Sequence, residues 1–242
     1  MQEKVGDHPL WHIPYMPAPF NTVHSDTVVI TWIGMAIVLV TVGVLAGLHP
    51  VTKLSKRYTV MELLVTGIGS QVETILGRNG VPFVPFILSL FLFIFVMNEI
   101  GLFPFIGQSP TSDLNTTAAL AILAILLING VGVARKGLKY FGHLFVRPLA
   151  LGIPLFPIML VDELVRPVTL AMRLFGNIFA GEILLLVVAS IIAGHLGFLS
   201  TAANAGPIVI YAFNMIIGLI QAVVFTLLTT AYLITPLSDE AH

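Results

Sequence analysis

The chain contains no cysteine, which excludes a disulfide framework, a thiolate metal site and a cysteine nucleophile. Charge is also scarce. Only 10% of its 242 residues are Asp, Glu, Lys or Arg, where a soluble domain carries roughly 25%. With 57% hydrophobic residues and a mean hydropathy of +1.00, the composition defines an all-α polytopic membrane protein. The net charge of -1 and the lack of any basic block exclude a nucleic-acid partner and leave the lipid bilayer as the surrounding phase. Residues 1–27, rich in Pro and His, lack the basic start and short apolar core of a cleavable signal peptide. Val28–Leu48 is therefore expected to act as an uncleaved anchor. No Arg- and Ser-rich transit segment is present, which favours a bacterial plasma membrane over an organelle.

A helix crossing a hydrocarbon layer of about 30 Å needs about 20 apolar residues. Val28–Leu48, Val81–Ile106, Leu114–Ala134 and Ile208–Ile234 meet that requirement. Thr59–Arg78 is mixed in polarity and reads as an interfacial helix. Pro154–Leu199 is apolar but interrupted by Asp162, Glu163, Arg166, Pro167, Arg173, Asn177 and Glu182. As one helix it spans about 69 Å at 1.5 Å per residue; folded back near Arg173–Asn177 it would cross twice. Two crossings would leave Asp162, Glu163 and Arg166 in mid-span against lipid, which is costly. One long, tilted helix is expected, giving five crossings in a single membrane domain, residues 1–242, with an extracytoplasmic arm over 1–27.

Lysine and arginine set the orientation. Lys53, Lys56, Arg57 and Arg78 form one cluster, and Arg135, Lys136, Lys139 and Arg147 another. Two spans separate them, so both face the cytoplasm by the positive-inside rule. The N-terminus and the Pro110–Asn115 loop then lie outside, and the C-terminus inside.

A charge at the bilayer centre costs roughly 2.5–3.5 kcal/mol, so the ionisable residues of the long segment need a reason. Asp162, Arg166, Thr169, Arg173 and Asn177 follow one another at spacings of 4, 3, 4 and 4, which places them on one helical stripe. Asp162 and Arg166 are expected to pair, leaving Arg173 without a carboxylate on its own stripe. Glu182 lies nine residues beyond Arg173, on the opposite face about 13.5 Å along the axis. The polar face thus changes sides at Arg173. On the last span Tyr211, Asn214, Gly218 and Gln221 share a face, with Thr229 and Tyr232 beyond. Tyr211 and Thr229 read as interhelical hydrogen-bonding groups, whereas Gln221 is expected to face Arg173 across a helix pair. Gly43 and Gly47 have a helix-packing spacing. Gly130–Gly137 lacks the residue order of a phosphate loop, so no nucleotide site, cofactor or metal is expected.

The run Arg166-Pro167-Val168-Thr169-Leu170-Ala171-Met172-Arg173-Leu174-Phe175-Gly176-Asn177-Ile178-Phe179-Ala180-Gly181-Glu182 resembles the signature of ATP synthase subunit a. Asn98-Glu99-Ile100-Gly101-Leu102-Phe103-Pro104, Pro110-Thr111-Ser112-Asp113-Leu114-Asn115-Thr116 and Leu219-Ile220-Gln221-Ala222 agree with it in order. The resemblance implies a proton-conducting stator subunit without a catalytic nucleotide site, its last two crossings lying against a rotating c-subunit ring. Its other partners would be b-type peripheral-stalk subunits and the remainder of the ATP synthase complex. It further implies that Arg173 faces the ring carboxylate, that Glu182 is the acid of the outer half-channel, and that Asn177 and Gln221 flank the arginine. Asn214 departs from the histidine that many relatives carry there, so water held by Asn214 would replace that relay. Asp162, Glu163, Thr169, Glu99, Asp113, Asn115 and His195 are further candidates for half-channel lining. Two other readings account for buried charge in a membrane chain. One is a secondary transporter, whose usual repeats are not evident here; the other is a scaffold whose charges only lock helices together.

Overall fold

The computed structural model describes residues 10–12, 22–47, 56–102, 109–144, 149–195 and 200–238. Within the helices, some side chains, including those of Glu182 and His195, fall outside the described set. The architecture is helical apart from a short antiparallel pair, β1 (Leu10–His12) and β2 (Thr22–His24), with Trp11 opposite Val23. Then follow α1 (Ser25–Gly47), α2 (Lys56–Leu76), α3 (Val84–Ile100), α4 (Leu114–Lys136), α5 (Leu149–His195), α6 (Ser200–Tyr232) and a final turn, α7 (Ile234–Leu237). Five stretches are long and apolar enough to cross a membrane, and α2 runs into α3 within one of them.

Local chemistry sets the helix ends. Gly77–Phe83 forms a 3₁₀ segment containing Pro82, so α3 begins at Val84 rather than near Val81 as expected, with a proline in its first turn. Asp113 caps α4 by accepting a hydrogen bond from the Asn115 amide at 2.9 Å. Arg135 and Lys136 occupy the last turn of α4, where cations complement the helix dipole. Gly137, at φ 62, ends the helix in a backbone conformation that a β-carbon disfavours.

The polar-interrupted stretch forms one continuous helix, α5, of 47 residues. It is about 70 Å long. The alternative of two crossings is thereby removed. Core packing explains why α5 is held along this length. Leu170 and Leu174 of α5 meet Ile94 of α3 and Phe225 of α6, all at most 1% exposed. Ala121 and Ala124 of α4, Ala171 of α5 and Ala222 of α6 fill the same cluster, and such small residues let helices approach closely in a membrane. The outward faces are apolar as well. Leu39 and Val40 of α1 and Val161, Leu164 and Val168 of α5 are exposed, a surface suited to lipid and costly in water.

α2 covers the region expected to be interfacial. It buries Val72 against α3, the C-terminal turn and their neighbours while Leu63 faces outward. Gly43 has open space around it, so its spacing with Gly47 does not mark a close helix contact there. Thr229 is fully buried, but its hydroxyl donates to the Phe225 carbonyl of its own helix, not across a helix pair as expected.

Candidate functional site

The stripe on α5 divides into a paired half and a half joined to α6. Arg166 forms ion pairs with Asp162 at 3.1 Å and with Glu163 at 2.8 Å. Its guanidinium also lies 5.2 Å from the centre of the Tyr232 ring, within cation–π range. The expected Asp162–Arg166 pair is present, and Glu163 is a second carboxylate on the same cation. Thr169 is exposed and donates to the carbonyls of its own preceding turn. Two turns beyond Arg166, Arg173 is exposed and makes no hydrogen bond or salt bridge among the described residues.

One turn further, Asn177 Nδ2 donates to Gln221 Oε1 at 2.7 Å. The described amide partner of Gln221 is therefore Asn177, not Arg173. Gln221 is only 2% exposed, and its Nε2 has no hydrogen-bond partner. Asn214, two turns earlier on α6, packs against Gly181 of α5: a β-carbon at Gly181 would lie 2.6 Å from Asn214 Oδ1. That contact sets Asn214 beside the residue preceding Glu182. The side chains of Glu182 and His195 lie outside the described residues; both positions are on α5.

A third helix completes the cluster. Asn98, at the end of α3, is 3% exposed and donates from Nδ2 to the Gly218 carbonyl of α6 at 3.1 Å. Its Oδ1 and Glu99 Oε1 are buried without a hydrogen-bond partner. Ser109 donates to the Met97 carbonyl at 2.9 Å and shares a 2.6 Å hydrogen bond with Thr111. Asn98, Gly101, Ser109, Asn177 and Asn214 line a cavity of ≈ 20 Å³, enough for about one water molecule. Asn98, Ser109 and Thr111 were not singled out by helical phase along α5 and α6, because they come from α3 and the segment before α4. The available signal was an Asn-Glu pair inside an otherwise apolar run.

Other expected lining residues are not among those that border this cavity. Asp113 and Asn115 build the α4 cap described above. Asp162, Glu163 and Thr169 sit with Arg166 towards the N-terminal half of α5. Near that end Tyr140 donates to Asn129 Oδ1 at 2.8 Å. Burial pushes the Tyr140 phenol above its ordinary range; the negative charge of Glu163 adds to the shift and Arg166 opposes it. Tyr140 also packs against Gly132, where a β-carbon would strike its ring.

Fold and site together define a polytopic helical membrane protein with an arginine that is unpaired among the described residues and incompletely satisfied amides on α3 and α6. Residues 28–234 match the family described as ATP synthase A chain. ATP synthase subunit a of Desulforamulus reducens is 37% identical over 233 residues, covering 96% of this chain and 84% of that protein. ATP synthase subunit a 2 of Syntrophotalea carbinolica is 38% identical over 217 residues, covering 88% and 85% respectively. ATP synthase subunit a of Geobacter sulfurreducens is 32% identical over 241 residues, covering 97% and 99%. The chain belongs to the ATP synthase subunit a family, the proton-translocating stator subunits of Fo, and so functions within a complex of several subunits.

Proposed function

We propose that the chain forms a single membrane domain providing two offset half-channels to the carboxylates of a c-subunit ring, with Arg173 between them. The observation that carries this reading is the state of Arg173: exposed on α5, without an ion-pair partner among the described residues, and flanked by two separate polar groups. An unpaired intramembrane cation is expensive. A carboxylate supplied by a neighbouring subunit would compensate it.

In this reading protons enter from outside by way of Glu182, Asn214 and the cavity beside Asn177 and Gln221. They neutralise a ring carboxylate, which can then rotate through lipid where its ionised form is held out. After most of a turn the site meets Arg173, whose charge favours the ionised carboxylate. The proton leaves towards the cytoplasm along the Thr169, Glu163 and Asp162 side of α5. Arg173 also blocks a direct leak, because a fixed positive charge separates the two water-filled paths. The electrical driving force is about 2.3 kcal/mol per charge per 100 mV.

The exposed apolar faces of α5 and α6, with Met172, Ile216 and Ile220 on them, support contact with an apolar ring. The b-type stalk would hold the subunit against rotation. A bacterial inner membrane with the C-terminus cytoplasmic agrees with the basic clusters. It is supported by Lys136, whose Nζ donates to the Thr235 carbonyl at 2.9 Å and so ties one cluster to the C-terminal turn.

The test is proton flux in vesicles containing the complete complex. Arg173→Ala should abolish ATP-driven pumping while assembly is retained. Native pumping in an assembled Arg173→Ala complex would reject the half-channel reading.

A further inference from the structure

Glu99 is a half-buried acid, with one carboxyl oxygen fully buried, that the proposed entry path above does not use. It occupies the last turn of α3, and its Oε1 lacks a hydrogen-bond partner. The described intramembrane ion pairs belong to Arg166, and no cation pairs with Glu99 among the described residues. A carboxyl retained only to lock helices together would be expected to have a partner, because an unpaired one gives up its hydration for nothing.

The opposing helix is shaped around it. At Gly218 of α6, a β-carbon would lie 3.0 Å from Glu99 Oε1 and 3.2 Å from Asn98 Cβ. Glycine here lets α6 approach the carboxyl and leaves the Gly218 carbonyl free to accept from Asn98. Gly218 shares its helical face with Asn214 and Gln221, at spacings of 4 and 3 residues. Asn98, the neighbour of Glu99, lines the ≈ 20 Å³ cavity together with Ser109, Asn177 and Asn214. Glu99 does not itself line this water-sized space; its link to it is Asn98, which borders the cavity and bonds to the same Gly218 that the carboxyl packs against. The end of α3 also precedes the Pro110–Asn115 loop, which the basic clusters assign to the outside.

We propose that Glu99 is a proton-carrying residue of the outer half-channel, passing protons between external water and the Asn98–Asn177–Asn214 cavity. This rests on the half-channel reading and adds a carrier to it. External hydronium gives a proton to the Glu99 carboxylate and leaves as water. The Glu99 O–H then breaks as a cavity water accepts that proton, regenerating the carboxylate. No other charge or atom is exchanged. Around the carboxyl, α6 presents Gly218 with Asn214 and Gln221 a turn away. Ser109, before α4, and Asn177 of α5 line the cavity that Asn98 borders. The α1 contact is Gly34 against Met97 and Ile100. None of these described groups titrates; on α5 the ionisable residues of the proposed path nearest in sequence are Arg173, four residues before Asn177, and Glu182, five residues after it.

The experiment measures ATP-driven proton uptake against pH in vesicles holding the complete complex, with assembly quantified. Glu99→Gln should lower the rate by about a hundredfold or more, the scale of a lost proton-transfer group, while Glu99→Asp keeps most of the rate with a displaced pH profile. A native rate and unchanged pH profile in assembled Glu99→Gln would overturn the proposal. Arg173→Ala in the same membranes separates the two ideas: if it stops pumping while Glu99→Gln does not, only the role of Glu99 falls. If it continues to pump, the half-channel reading itself falls. Should Glu99→Gln fail to assemble, Gly218→Ala keeps the carboxyl but crowds it. A several-fold loss of rate there upholds the proposal, and a native rate overturns it.

Discussion

Asn177 of α5 and Gln221 of α6 share a 2.7 Å side-chain hydrogen bond, four residues beyond Arg173, which has no ion-pair partner among the described residues. It ties the two longest helices together, and it uses one end of each amide.

A double-mutant cycle of Asn177→Ala and Gln221→Ala should reveal direct coupling. Bonds of this kind in membranes average about 0.6 kcal/mol and reach about 1.7 kcal/mol, so a coupling energy within that range is expected from thermal unfolding in detergent. Additive losses would mean that the two amides act independently.

Gly181 should tolerate a methyl group poorly. Its β-carbon would sit 2.6 Å from Asn214 Oδ1 and 3.0 Å from Asn214 Cγ, and overpacking of this kind costs about 1–3 kcal/mol. Gly181→Ala should lower the melting temperature and slow proton flux. Adding Asn214→Ala should recover the stability without recovering the flux, because it removes the clash and the polar side chain together.

The Arg166 cluster predicts an asymmetry between its two acids. The Asp162 side chain is 63% exposed, while that of Glu163 is 17% exposed on the same cation. Asp162→Asn should change stability by less than about 1 kcal/mol, as exposed ion pairs do. Glu163→Gln should cost measurably more in the same detergent-unfolding assay. Equal effects would show that burial does not distinguish the two pairs.

Tyr140, just beyond α4, predicts an alkaline weakening of the fold. Its phenol is pushed above the ordinary value of 10.0, mainly by burial, so the folded chain keeps that proton when the unfolded chain has released it. The unfolded state then binds fewer protons, and stability falls as pH rises above about 10. Below that pH the contribution is fully present. Tyr140→Phe should remove this part of the pH dependence and lose the bond to Asn129; an unchanged alkaline slope would contradict the assignment.

Hydropathy and helical phase determined much of this protein on their own. The scarcity of charge required membrane helices, because apolar surface on this scale can be covered only by lipid or by another helix. The spacing from Asp162 to Asn177 put five polar residues on one stripe, and the structure keeps Asp162 paired with Arg166 and leaves Arg173 open. The long segment also settled in one piece, as the insertion cost of its charges had indicated.

What only the tertiary structure decided is how separate helices meet. Phase along a single helix cannot tell that Gln221 bonds to Asn177, that Glu163 joins Asp162 on Arg166, or that Gly181 and Gly218 leave room for Asn214 and Glu99. Nor could it show that α3 brings Asn98 to the crevice between α5 and α6 and sets Glu99 against Gly218. Those pairings depend on helix register across distances of up to 120 residues in sequence. Register in turn is set by close packing of small and large side chains, a property of the assembled helices rather than of any one of them.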